Sequence, residues 1–132
     1  YGHHPTEIMA VLTTCKRVWP TRRLVVVFQP HRFTRTQQLM KEFLRAFREA
    51  DLLMVTEIYP AGEKPIRGVS SEALIKRLPK RARIDSLYVP KKQALSELEK
   101  RTRRGDIVLT LGAGDIWKTG ESFLETLRQF PR

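Results

Sequence analysis

Two arginines stand three residues apart, Arg32 and Arg35 in "FQPHRFTRT" (28–36), with His31 directly before the first. They fall where a β-branched run ends and a helical pattern begins. A guanidinium offers a planar fork of donors, and two of them beside the unpaired N–H groups of a helix start make a strong site for a carboxylate or phosphate. Each charge-assisted hydrogen bond of this kind contributes roughly 1.5–3 kcal/mol. A solvated pair of arginines is the bland reading. The helix dipole disfavours cations at an N-terminus, a cost that an anionic ligand would offset, so the pairing points toward binding.

Other motifs say less. "YGHHPTE" (1–7) gathers two histidines and a glutamate, but adjacent His3 and His4 match no common ligand spacing, and no metal site is expected. His3 is read as a hydrogen-bond donor to a phosphate or another anion, with loop packing beside the helix start as the plainer role. "GAGD" (112–115) follows an apolar run like half a dinucleotide fingerprint. It lacks the third glycine and the acidic partner about 20 residues on, so it reads as a tight turn with Asp115 as N-cap. No GxxxxGK[ST] phosphate loop occurs. In "YPAGEKPIRG" (59–68), Glu63 and Lys64 lie on a long loop that is either a substrate-facing lid or a solvated connection. The single cysteine, Cys15, falls among apolar helical positions and reads as a packed, inert thiol in a reducing cytosol.

The elements that position these residues alternate. Apolar Ile8, Val11, Leu12, Cys15 and Val18 recur at helical spacing after Pro5, with Glu7 complementing the helix start. "LVVVF" (24–28) reads as a strand covered on both faces. A helix follows, with Thr34 and Gln37 as capping box and Leu39, Met40, Phe43, Leu44 and Phe47 as its buried stripe. "LLMVTEI" (52–58) predicts a second strand, and a helix runs from Ser70 or Ser71 to Leu78, stopped by Pro79. "SLYV" (86–89) predicts a third strand, followed by a helix opened by Pro90, burying Ala94, Leu95 and Leu98 and closed near Gly105. "DIVLTL" (106–111) predicts a fourth, buried strand. A last helix carries Ile116, Phe123, Leu124 and Leu127, interrupted at Gly120. Four apolar strands alternating with helices imply one α/β domain over 1–132, a Rossmann-like, mostly parallel sheet with helices on both faces. The loops "QPHRFTR", "YPAGEKP" and "GAGD" then share the carboxyl edge of the sheet, where such folds bind ligands.

Charge narrows the partners without choosing among them. The 132 residues hold 25 Lys+Arg against 14 Asp+Glu, a net +11 that attracts nucleic acid, acidic membranes and anionic metabolites alike. No apolar run approaches the roughly 18 residues of a membrane span, and the polar, histidine-rich N-terminal stretch has no signal-peptide character.

Taken in order, "YGHHPTEI", "FQPHRFTRT", "IYPAGEKPIRGV" and "LTLGAGDIWKTGE" resemble the C-terminal domain of the Mur ligase family of peptidoglycan synthesis, over essentially the whole chain. Within the family the sequence sides with the alanine-adding branch. The murein-tripeptide recycling branch shares the "HHP" opening but differs at "QPHRFTRT". The resemblance implies a three-domain cytoplasmic enzyme in which ATP, with magnesium, phosphorylates the carboxylate of UDP-N-acetylmuramate and the amine of L-alanine attacks the acyl phosphate. It further implies that Arg32 and Arg35 hold the alanine carboxylate, that His31 lies beside them, and that Tyr1 and His3 lie near the nucleotide and the UDP-sugar product. The family's acidic hinge residues would precede Tyr1, and its ATPase domain has no counterpart here. The expectation is therefore an excised domain, inactive alone, that binds neither ATP nor Mg by itself and has no membrane or nucleic-acid partner. Two rival readings are a basic nucleic-acid-binding α/β module, motivated by the charge, and a free-standing dinucleotide-binding domain.

Overall fold

A computed structural model describes residues 3–80 and 84–132. Leu24–Phe28 forms β1, and all five of its residues are buried. Such a strand needs cover on both faces, and the chain supplies it. Leu52–Val55 (β2), Asp85–Tyr88 (β3) and Ile107–Leu111 (β4) complete a four-stranded sheet of order β3-β2-β1-β4. Every pairing is parallel, with Val25 beside Leu52, Leu24 beside Ile107 and Leu52 beside Asp85.

Pro5–Val18 (α1), Phe33–Gln38 (α2), Met40–Ala46 (α3) and Ser71–Arg77 (α4) precede or connect the first three strands. One core holds Ile8 and Leu12 of α1, Phe43 of α3 and Leu74 of α4 against Val26, Phe28, Leu53 and Val55. Phe28 meets the rings of Phe43 and Phe47 at 5.3 and 5.0 Å, contacts that contribute about 0.5–1.5 kcal/mol each beyond their buried area. Lys91–Arg101 (α5) and Trp117–Gln129 (α6) cover the opposite face, where Ala94, Leu98, Ile116 and Phe123 pack on Val25, Val27, Leu52 and Met54. The expected Rossmann-like α/β fold with helices on both faces is the one observed. No described helix is long and apolar enough to cross a membrane.

Several details differ from expectation. The helix expected over 34–47 is two, sharing Leu39 as a cap, although Leu39 N–H still reaches Arg35 O at 2.9 Å. Just before the break, the buried Thr36 hydroxyl donates to Arg32 O at 2.8 Å, and such back-bonding bends helices. The second strand stops at Val55 rather than 58. Thr56 N–H still pairs with Phe28 O, the ladder then lapses, and it resumes as a single parallel bridge between His31 and Tyr59. β4 is only half-buried over most of its length because it is a sheet edge. The last helix runs through Gly120 unbroken. Leu124 is 48% exposed, and on α1 Val11 and Val18 also face outward.

Candidate functional site

The connections that leave the strands at their carboxyl ends meet where the strand order reverses, between β1 and β4. After Phe28 the chain stays ladder-like for three residues. Tyr59 N–H donates to Pro30 O and Arg32 N–H donates to Tyr59 O, both at 2.8 Å. Arg32 then adopts φ 70°, ψ 142°, close to a region that only glycine visits freely and that costs roughly 1–3 kcal/mol for another residue. That turn starts α2 at Phe33. It leaves Arg32 exposed at the N-cap and Arg35 half-buried in the first turn. Neither guanidinium forms an ion pair with an acidic side chain among the described residues.

His31 lies between these cations and a ring stack. Its imidazole is 5.5 Å from the Tyr59 ring at an interplanar angle of 9°, and His3 approaches it, tilted, at 6.1 Å. Its Nδ1 is buried and has no hydrogen-bond partner among the described residues. Burial, then Arg35, Arg32 and His3, hold its pKa below the ordinary histidine value, with Glu63 opposing. The ring is therefore neutral at neutral pH, and the local positive charge belongs to the two arginines.

The helix start itself is not open. Glu63 accepts from the Thr34 N–H at 3.1 Å and from its hydroxyl at 2.5 Å. These two bonds lower the Glu63 pKa, burial opposes them, and Phe33 N–H and Arg32 add lesser effects in the same direction as Thr34. The Thr34–Gln37 capping box is therefore absent, since no side chain of the helix caps it and a carboxylate from the loop after β2 does so instead. Positive φ at Ala61 (49°) and Gly62 (87°) turns the loop so that Glu63 can reach α2. Lys64 beside it is exposed. The loop is thus tied to the grip by one residue, and Glu63 already occupies the Thr34 N–H that an anion near Arg32 and Arg35 could otherwise use.

Behind the arginines a polar network fills the crevice. Gln29 is 2% exposed, donates from Nε2 to Asp115 Oδ1 at 3.0 Å and accepts from Ile116 N–H at 3.2 Å. Asp115 also pairs with Lys91 Nζ at 2.7 Å, and Lys91 first, then Gln29, lower its pKa. Asp115 is therefore not the N-cap of α6. Ile116 takes that position, and the Asp115 side chain turns inward to Gln29 and Lys91. Gly114 is needed because a Cβ there would lie 2.8 Å from Gln29 Oε1 and 2.9 Å from Tyr59 Cδ2.

His4 is the N-cap of α1. Its Nδ1 accepts from Thr6 N–H at 3.2 Å, while Glu7 accepts from His4 N–H at 3.1 Å. Among the described residues no three His, Cys, Asp or Glu side chains gather as a metal site would require. Tyr1 lies outside the described residues. The structure thus brings His3, His31, Arg32 and Arg35 to one corner. The sequence reading missed Tyr59 and Gln29, whose signals were an aromatic just before a Pro-Gly loop and an amide closing an apolar strand.

Known proteins resemble the chain over its whole length. The chain is 55% identical over 130 residues to a UDP-N-acetylmuramate–L-alanine ligase of Geobacter sulfurreducens, covering 98% of this chain and 28% of the relative. It is 52% identical over 125 residues to the ligase of the same name from Desulfatibacillum aliphaticivorans, covering 94% and 27%. The chain therefore spans just over a quarter of these relatives. The crystal structure of a UDP-N-acetylmuramate–alanine ligase from Thermotoga maritima superposes with TM-score 0.68 at 32% identity, covering 98% of this chain and 26% of that one. A murein peptide ligase from Psychrobacter arcticus shares the fold, with TM-score 0.75 at 18% identity over 100% of this chain and 27% of the other. The family model described as "Mur ligase, glutamate ligase domain" matches residues 1–114. On that match and those identities, the chain belongs to the Mur ligase family.

Proposed function

We propose that this chain is the amino-acid-holding domain of a longer, three-domain ATP-dependent ligase that joins L-alanine to UDP-N-acetylmuramate in the cytoplasm. The observation that carries the reading is the pair Arg32 and Arg35, one helical turn apart, without an acidic partner among the described residues and beside a neutral His31. Two guanidinium forks suit one carboxylate. Holding an amino acid by its carboxylate leaves its amine to point toward an acyl carbon, and such positioning supplies several kcal/mol of barrier reduction. The same cations favour the uncharged amine over the ammonium, and only the uncharged amine is a nucleophile. Arg32 and Arg35 are assigned to orient, not to transfer protons, with His31 beside them, and His3 is assigned to the neighbouring nucleotide and UDP-sugar, with Tyr1.

Beyond the nucleotide contacts given to His3 and Tyr1, we assign no phosphate or metal ligands for ATP and Mg to this domain. The chain has no phosphate loop, and no carboxylate cluster gathers among the described residues. Nucleotide and metal are therefore assigned to the remainder of the longer protein, and this domain's part is to bring the amino acid to them by closure.

The test uses that longer ligase. Arg32→Ala and Arg35→Ala should each raise the KM for L-alanine roughly 10- to 150-fold, the loss of one charge-assisted hydrogen bond. The KM for ATP should rise far less, because the two guanidinium groups are assigned to the alanine carboxylate and not to the nucleotide. Equal rises in both constants would sink the assignment.

A further inference from the structure

We infer that Tyr59 is the positioning residue of the arginine grip, with Gly114 as its seat. The inference rests on the amino-acid-binding reading above and names what fixes that site. Tyr59 lies on the connection after β2 and touches the connections after β1 and β4. Its main chain holds both neighbours of His31, through Pro30 O and Arg32 N–H at 2.8 Å each. The second of these bonds fastens Arg32 in its strained backbone turn. Its ring lies flat on His31 at 5.5 Å. Its Cγ–Cδ2 side abuts Gly114, where a Cβ would come within 2.9–3.0 Å.

Any residue except proline can make the two main-chain bonds, so the side chain needs a separate reason. Burial does not supply one, because Tyr59 is 37% exposed, the position of a rim residue and not of core filling. What the flat ring does is transmit position. Gly114 belongs to the loop that Gln29, Asp115 and Lys91 lock to β1 and α5. The ring spans the crevice from that locked loop to His31, next to the two arginines. The second glycine of "GAGD" makes room for that ring and for Gln29 Oε1, which a Cβ would approach to 2.8 Å.

The experiment measures KM for L-alanine and for ATP, and kcat, in the full-length ligase carrying Tyr59→Phe, Tyr59→Leu, Tyr59→Ala, Gly114→Ala and Arg35→Ala. Tyr59→Phe keeps the stack and should stay within about threefold of wild type for alanine. Tyr59→Leu and Tyr59→Ala should raise the alanine KM about tenfold or more, since misplacement by 1 Å costs up to about 100-fold. The KM for ATP should hold within about twofold. Gly114→Ala should act in the same direction, and by a smaller factor once Tyr59 is alanine. Should Tyr59→Ala fail to fold, Tyr59→Leu, which keeps the bulk without the flat face, decides the matter. The inference is overturned if the leucine variant binds alanine as wild type does, or if phenylalanine is as damaging as leucine. Arg35→Ala separates the two readings. An unchanged alanine KM there removes the grip itself, while a raised one beside a silent Tyr59→Leu removes only the role of Tyr59.

Discussion

Arg32 pays for its position with its backbone. At φ 70°, ψ 142° a side chain is strained by roughly 1–3 kcal/mol, and glycine there would not be. Glycine also adds about 0.5–1 kcal/mol of conformational entropy to the unfolded chain, so the net gain from Arg32→Gly should be about 1 kcal/mol. We therefore expect Arg32→Gly to be more resistant to urea than wild type and than Arg32→Ala, while binding alanine poorly. Equilibrium unfolding of the three proteins checks it, and an Arg32→Gly variant no more stable than Arg32→Ala would refute the strain argument. At this scale the charged members of the site were readable, because cations at a strand-to-helix junction are anomalous in sequence alone. Their partners were not. His4 as a cap, Glu63 closing the start of α2 and Asp115 turning toward Gln29 and Lys91 all depend on which loops meet in space, and a single sequence holds no record of that.

Among the elements, alternation of apolar runs with helical stripes was enough for the fold class, since parallel strands with right-handed crossovers leave few other arrangements. What failed were local inferences that neighbours overrule. Gly120 is the clearest. Glycine is read as an interruption because it weakens an isolated helix by about 1 kcal/mol relative to alanine. In the fold it lets α6 approach β4, and a Cβ at 120 would stand 3.1 Å from both Cγ2 and Oγ1 of Thr110. Threonine is stiff at χ1 and sits in a strand, so it gives way poorly. Gly120→Ala should therefore cost about 1 kcal/mol despite its better helix propensity, whereas in a Thr110→Ala background the same change should be neutral or stabilising. A double-mutant cycle by chemical denaturation measures the coupling. Additive effects would mean that Thr110 does not set the need for glycine.

Across the whole molecule the net charge of +11 remains to be accounted for, and its distribution argues against a nucleic-acid groove. Helices that follow parallel strands end at the edge where the next strand begins, opposite the candidate site. There α1 ends in Lys16 and Arg17, α3 in Arg45, α4 in Lys76 and Arg77, α5 in Lys100 and Arg101, and α6 in Arg128. Cations at helix C-termini complement the dipole by about 0.3–1 kcal/mol each, so much of the excess has a structural origin. The same edge ties Lys16 to Asp51 at 2.6 Å and Arg23 to Asp106 at 2.7 Å. Among the described residues Arg22, Arg23, Arg103 and Arg104 line one cleft at this edge, where Asp106 offsets part of their charge through its pair with Arg23. The exposed rings near this edge are divided between the faces, with Trp19 after α1 on one and Phe130 after α6 on the other, so no stacking row forms among the described residues. We expect duplex or single-stranded DNA to bind no tighter than the weak nonspecific range, about 10⁻⁵ M or weaker at physiological salt, and without base preference. Fluorescence anisotropy across a salt series tests this directly. A submicromolar constant that persists at physiological ionic strength would show that the basic edge is a binding surface and would return the charge excess to function.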